Sequence, residues 1–286
     1  MSSPLSISTA DLAGVETMVG WAAAEGWNPG LHDAAAFHAT DPGGFLLGSI
    51  DGQPVAGISV VRYGPEFAFL GLYIVRPEWR GRGHGLAMWR AAIELAGPRV
   101  VGLDGVVAHQ ADYARSGFVL TRRNIRYGGT KVDVQPPALG IPAVPLDPVT
   151  DANRALVDSY DGGVFPARRR RFLEAWLMAP GHVALAALDD GGIRGYGVLR
   201  PCRAGYKVGP LFADDEATAG SIFTGLAASA GGSEVFLDVP ETNLAARRLV
   251  ERHGLAPVFE TARMYAGVPP QEPVDRIYGV TTFELG

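Results

Sequence analysis

Cysteine is almost missing from this 286-residue chain: Cys202 stands alone. No intrachain disulfide can form, and without a Cys/His cluster at ligand spacing a structural zinc is excluded as well. Charged residues are sparse at 19%, and the net charge of −5 provides no general basic surface for a nucleic-acid backbone. No apolar run approaches the roughly 20 residues that span a bilayer, and residues 1–30 lack the basic stretch and apolar run of a secretory leader. These absences predict a cytoplasmic protein with no metal, membrane or nucleic-acid partner, and leave small anionic ligands open. A homodimer is compatible with them. What the chain does hold is apolar residues, 47% of the total, enough for a large core, and a length that favours two domains.

Apolar residues Leu12, Val15, Met18 and Val19 recur at helical spacing behind a capping Asp11. A turn at Gly26 to Gly30 and a second helical stretch at Ala34 to Phe37 follow. Residues 44–50, 54–62 and 67–75 are short and apolar, and are separated by Asp51-Gly52 and Gly64-Pro65, as in an antiparallel meander. Leu86, Trp89, Ile93 and Leu95 mark a helix stopped at Gly97-Pro98, before a buried-type strand at 100–103. Prolines 136, 137, 142, 145 and 148 predict a stiff connector over 131–148, dividing the chain into units at 1–130 and 149–286. The second unit repeats the pattern of the first: helices near 153–160 and 168–178, strands at 182–188 and 195–200, a helix at 216–229 and a strand at 234–239.

Between the third strand and its helix lies Arg80-Gly81-Arg82-Gly83-His84-Gly85-Leu86. Glycines there let backbone amides approach a phosphate, the helix N-terminus favours negative charge, and Arg80 and Arg82 add cationic donors. A P-loop would need Gly-Lys-Ser/Thr, which Gly85-Leu86-Ala87 does not supply. A dinucleotide fingerprint finds its acid at Asp104, but Leu86 stands where its last glycine belongs. A nicotinamide-dependent oxidoreductase is thus an alternative reading.

The segment after Val75 resembles the central motif of the GNAT superfamily of acetyltransferases, Gln/Arg-x-x-Gly-x-Gly/Ala behind a strand. So does Tyr113-Ala114-Arg115-Ser116-Gly117-Phe118, which is similar to the helix end where a tyrosine precedes Gly-Phe by four residues. Asn124-Ile125-Arg126-Tyr127, Gly197 to Arg203 and Gly279 to Glu284 extend the resemblance to YitH-type tandem GNAT proteins, over nearly the whole chain. The resemblance implies an α/β (α+β) fold with tandem acyl-CoA N-acyltransferase folds, each a mixed, mostly antiparallel sheet flanked by helices. It implies that acetyl-CoA is the cosubstrate, that residues 80–86 bind its pyrophosphate, and that Ile74 and Val75 pair with pantetheine. Tyr113 would protonate the departing thiolate while a small-molecule amine attacks directly in a ternary complex. One departure is Val106, where the family usually has asparagine.

In the second unit the equivalent loop is expected at Pro210 to Glu216, without a glycine triplet and with three carboxylates, and Val250 replaces the tyrosine. The resemblance therefore implies one cosubstrate site, in residues 1–130, with the second unit degenerate and serving the acceptor pocket or the structure. A noncatalytic acyl-CoA sensor is the other reading. For the base that accepts the amine proton, Asp104 is the first choice, with Glu66 and His109 behind it. Trp21, Glu25, Trp27 and Asn28 are the candidate acceptor-binding residues. Arg168 to Arg171 reads as an exposed helical start.

Overall fold

The computed structural model describes residues 3–129 and 144–286. The first half contains β1 (Ser6–Thr9), α1 (Leu12–Ala24), α2 (Asp33–Thr40), β2 (Phe45–Ile50), β3 (Gln53–Tyr63), β4 (Phe67–Val75), α3 (His84–Ala96), β5 (Val100–Val106), α4 (Gln110–Arg115) and β6 (Val119–Gly129). The second contains β7 (Leu146–Pro148), α5 (Arg154–Asp161), α6 (Arg170–Leu177), β8 (Val183–Asp189), β9 (Gly192–Pro201), β10 (Tyr206–Ala213), α7 (Glu216–Ser229), β11 (Val235–Pro240), α8 (Leu244–Arg252), β12 (Ala256–Ala266) and β13 (Ile277–Gly279).

Local chemistry accounts for the best-read elements. Asp11 caps α1 by accepting from the Gly14 amide at 2.9 Å, and Val15, Met18, Val19 and Ala22 form its buried stripe. In α3 the buried stripe is Met88, Trp89, Ala92 and Ala96, while Leu86, expected on it, is 53% exposed. At the start of α6 the run Arg168 to Arg171 is not uniformly exposed. Arg169 is buried, its guanidinium 3.9 Å from the centre of the Phe165 ring and 2.7 Å from Asp161. Full burial of a Leu or Phe side chain contributes about 1.5–3 kcal/mol, so the apolar layer beneath the helices supplies the main driving force.

Among the described residues, all strands join one mixed, mostly antiparallel sheet in the order β1-β2-β3-β4-β5-β12-β6-β11-β10-β9-β8-β7, with β13 beside β10. The closing strands of the two halves are exchanged. β12, from the second half, lies between β5 and β6, and β6, from the first, lies between β12 and β11. The division at 131–148 is therefore not a division of the sheet. Residues 131–143 of the expected connector lie outside the described residues, while Leu146–Pro148, assigned to it for its prolines, pairs antiparallel with β8. An edge position tolerates proline because no ladder donor is needed on the outer side.

Register in the exchanged region is marked by a polar ladder. Arg122, Asn124 and Arg126 alternate along β6 and share one face. Arg122 pairs with Glu272 at 2.6 Å, Asn124 donates to Asp104 at 2.8 Å, and Arg126 grips Asp238 through two bonds of 2.6 and 2.8 Å. A one-residue slip of β6 would point all three into the opposite face, so the ladder specifies the exchange. Among the described residues no helix is long and apolar enough to cross a membrane.

Candidate active site

Strands β4 and β5 run parallel and pair only from Phe67 to Leu70 against Val100 to Leu103. Beyond that point the β3–β4 register shifts and Leu72 adopts a φ of +46°, bending β4 away from β5. The strands splay, and a cleft of about 860 Å³ opens between them. Ile74 and Val75 lie on its wall, with their strand paired to β3 on the far edge only.

The glycine loop stands at one end of this cleft. Gly81 and Gly83 have φ of +74° and +82°, values that favour glycine. Gly83 is the N-cap of α3 and provides no side-chain cap, so the amides of the first turn lie open to an anion. Arg80 behaves differently from expectation. Its Nε donates to the Val75 carbonyl at 2.8 Å and its Nη2 pairs with Glu25, so the guanidinium pins the loop. Arg82 lies over the Trp79 ring at 5.0 Å, His84 packs beside the same ring, and Leu86 lines the cleft.

Tyr113 lines the cleft. Its ring packs on Trp89 with centroids 5.6 Å apart and covers Gly105, where any Cβ would overlap it. Burial, then the neighbouring Tyr73, pushes the Tyr113 hydroxyl up to about 12, so it holds its proton across the neutral range. Among the described residues that hydroxyl has no hydrogen-bond partner.

Asp104 lines the cleft as well, but its carboxylate is occupied. Arg263 grips it with bonds of 2.9 and 2.6 Å and Asn124 donates a third. With three donors on its two oxygens this carboxylate is not free to meet an amine or a ribose hydroxyl, which removes the geometric case for Asp104 as the base and for the dinucleotide reading. Glu66 is exposed on the turn before β4, away from the splay, and His109 is exposed beside Asp112 at 3.3 Å. Among the described residues no group of three or more His, Cys, Asp or Glu side chains could hold a metal.

Of the acceptor candidates, Glu25 and Trp27 line the cleft. Trp21 instead packs against the core, and Asn28 clamps the second half through Ala204, donating at 2.8 Å and accepting at 2.9 Å. Phe259, Phe283 and Glu284, all from the second half, complete the cleft. They carry no motif of their own, and only the resemblance of residues 279–284 pointed toward that segment.

The second half makes the same splay and closes it. β10 and β11 pair in parallel only from Tyr206 to Val208, and β13 then lies against β10, with the Val280 amide donating to Asp238. Pro210 to Ala213, expected as a loop, belongs to β10, which runs almost directly into α7. Asp215 caps that helix by accepting from Thr218 at 2.8 Å, and Arg194 binds both Asp214 and Asp215. The site of an anion is thus filled by the chain's own groups.

Comparisons with known proteins agree with this geometry. Residues 12–118 match the model of the acetyltransferase (GNAT) family and residues 157–279 match a further acetyltransferase (GNAT) domain model. The chain is similar to holothin acyltransferase of Pseudoalteromonas sp. (strain SANK 73390), 32% identical over 270 residues, covering 93% of this chain and 89% of that one. The chain belongs to the GNAT family. It is a tandem GNAT N-acyltransferase, and an acyl-CoA is its cosubstrate. In fold it is similar to a candidate acetyltransferase from Pyrococcus horikoshii, with a TM-score of 0.82, 24% identity and coverage of 99% and 96% of the two chains. A tandem GNAT protein from the clavulanic acid biosynthesis pathway superposes with a TM-score of 0.62 at 17% identity, over 93% of this chain and all of that one.

Proposed function

We propose that this tandem GNAT protein is an acetyl-CoA-dependent N-acetyltransferase that acylates the primary amine of a small molecule by direct attack in a ternary complex. The observation that carries this reading is the unpartnered, protonated hydroxyl of Tyr113, in a cleft that begins at an uncapped, glycine-rich helix N-terminus.

Each residue of the cleft then has a role. The amides from Gly81 to Leu86 hold the pyrophosphate, with Arg82 adding positive charge and Arg80 fixing the loop. The edge of β4 at Ile74 and Val75 that is not paired to β5 bonds to pantetheine as an added strand would, with the Val75 carbonyl already accepting from Arg80. As the tetrahedral intermediate collapses, the carbon–sulfur bond breaks and Tyr113 gives its proton to the thiolate. Trp27, Phe259 and Phe283 suit an acceptor with a flat apolar body. One cosubstrate per chain follows, because the second splay holds β13 and its helix carries an aspartate cap. A reducing cytoplasm suits the single cysteine.

The test is release of CoA thiol from acetyl-CoA across a panel of arylalkylamines, amino sugars, polyamines, amino acids and holothin, the acceptor named for the Pseudoalteromonas relative. Turnover with at least one amine, lowered by roughly 10²–10⁴ in Tyr113→Phe at unchanged acetyl-CoA affinity, is expected. Tight cosubstrate binding without turnover of any amine would refute it.

A further inference from the structure

Among the described residues four carboxylates line the cleft, and three are already held. Glu25 is paired with Arg80, Asp104 with Arg263 and Asn124, and Asp112 with Arg115 and His109. The fourth, Glu284, has neither a hydrogen bond nor an ion pair to its carboxylate among the described residues, although the residue is only 4% exposed. Its oxygens are not among the enclosed, unpartnered polar atoms of the core, so they face the open cleft, where a cation entering it can reach them.

The segment that carries it is firmly seated. The amides of Glu284 and Leu285 donate to the Thr282 hydroxyl at 3.2 and 2.9 Å, and the Tyr63 hydroxyl donates to the Leu285 carbonyl at 2.9 Å. The Glu284 carbonyl lies so close on the β4 bulge that a Cβ at Gly71 would overlap it. Beside it, the Phe283 ring rests 4.7 Å from the Arg126 guanidinium and forms the aromatic wall with Phe259, centroids 6.3 Å apart. Arg126, Arg200 and Lys207 reach Glu284 electrostatically, but each is bonded elsewhere: to Asp238, to Asp33, and to the Trp27 carbonyl. None of the three is bonded to the carboxylate itself.

We propose that the Glu284 carboxylate receives the acceptor's ammonium group and takes its proton, so that the second half supplies the base of a site whose acid, Tyr113, belongs to the first. The ammonium loses one proton to Glu284, and the freed lone pair attacks the thioester carbon, forming the carbon–nitrogen bond. The intermediate's nitrogen loses a second proton as the carbon–sulfur bond breaks, and Tyr113 protonates the thiolate. The second proton restores Tyr113 through solvent and Glu284 releases the first, leaving amide, CoA thiol and one free proton. The inference rests on the acyl-transfer reading and adds a base and a preference for amines that arrive charged.

The experiment compares wild type, Glu284→Gln and Glu284→Asp with acetyl-CoA and two acceptors, phenethylamine, which is an ammonium at neutral pH, and aniline, which is not. For Glu284→Gln, kcat/KM is expected to fall at least 100-fold for phenethylamine and less than 10-fold for aniline, with acetyl-CoA Kd unchanged. Glu284→Asp should recover part of the phenethylamine rate. Equal losses for both amines, or no loss, overturn the proposal. If the glutamine variant does not fold, the aspartate variant must still lose phenethylamine turnover selectively, by about tenfold or more, and its failure to do so is decisive. A wild type that binds acetyl-CoA but acylates no amine on the full panel ends the acyl-transfer reading and this inference together. Turnover of other amines but not phenethylamine overturns this inference alone.

Discussion

Arg263 and Asp104 meet across the paired strands β12 and β5, Nη2 2.6 Å from Oδ2, with both side chains withdrawn from water. The pair neutralises a carboxylate at the cleft and joins the two halves of the chain. Removing one member leaves the other charged and buried, so Arg263→Met should destabilise the fold by about 3–5 kcal/mol. Asp104→Leu combined with Arg263→Met should recover most of that loss, since neither charge then remains. Urea unfolding of the single and double variants measures both; a double variant no more stable than the single would refute the argument.

The legible parts of the fold were those with local causes. The Asp11 cap, the three strands of the meander and the glycine loop each announce themselves within a few residues, and the structure has them where expected. The strand exchange has no such signal, because β6 and β12 each read as the closing strand of their own half and only register with distant residues separates the two arrangements. The strand expected at 100–103 stops short of Asp104-Gly105, yet both residues lie in β5. The glycine is needed because Tyr113 covers it, and the aspartate meets a partner 159 residues away. A run of four arginines gives no helical phase, which concealed that Arg169 points inward. Glu284 is a lone acid near the chain's end, and only the cleft gives it meaning.

Gly83 provides a direct test of the cosubstrate loop. Its φ of +82° suits glycine, and Gly83→Glu would add both backbone strain and a carboxylate where the pyrophosphate is expected. Calorimetric titration of the wild type with acetyl-CoA should give one site per chain, and the variant should bind at least tenfold more weakly. Two sites per chain, or binding that survives the substitution, would contradict the assignment of the second half as closed.

Lys207 links stability to pH in the direction expected of a buried ammonium. Burial, followed by repulsion from Arg126, lowers its ammonium to about 8. Below that pH both folded and unfolded states are protonated, and the full cost of the buried charge is present. Between about 8 and 10.5 the folded chain releases the proton while the unfolded chain keeps it, so this group's contribution to stability rises with pH. Lys207→Met should therefore gain most over the wild type at pH 7, and the difference should narrow by about 1–3 kcal/mol by pH 10. A difference that stays constant in denaturant titrations across that range would show that Lys207 remains charged.

Gly105 separates placement of the acid from binding of the cosubstrate. A methyl group at this position would overlap the Tyr113 ring, which also packs on Trp89 of α3, so the ring must shift against that contact. The glycine loop is distant in sequence and is built by a different turn, so Gly105→Ala should leave acetyl-CoA affinity within about twofold. The hydroxyl would move by an ångström or so, and kcat is expected to fall by about 10²-fold. Because the effect acts through Tyr113, the substitution should add little further loss in a Tyr113→Phe background, whereas additive losses in that double-mutant cycle would mean that Gly105 acts on the site by another route.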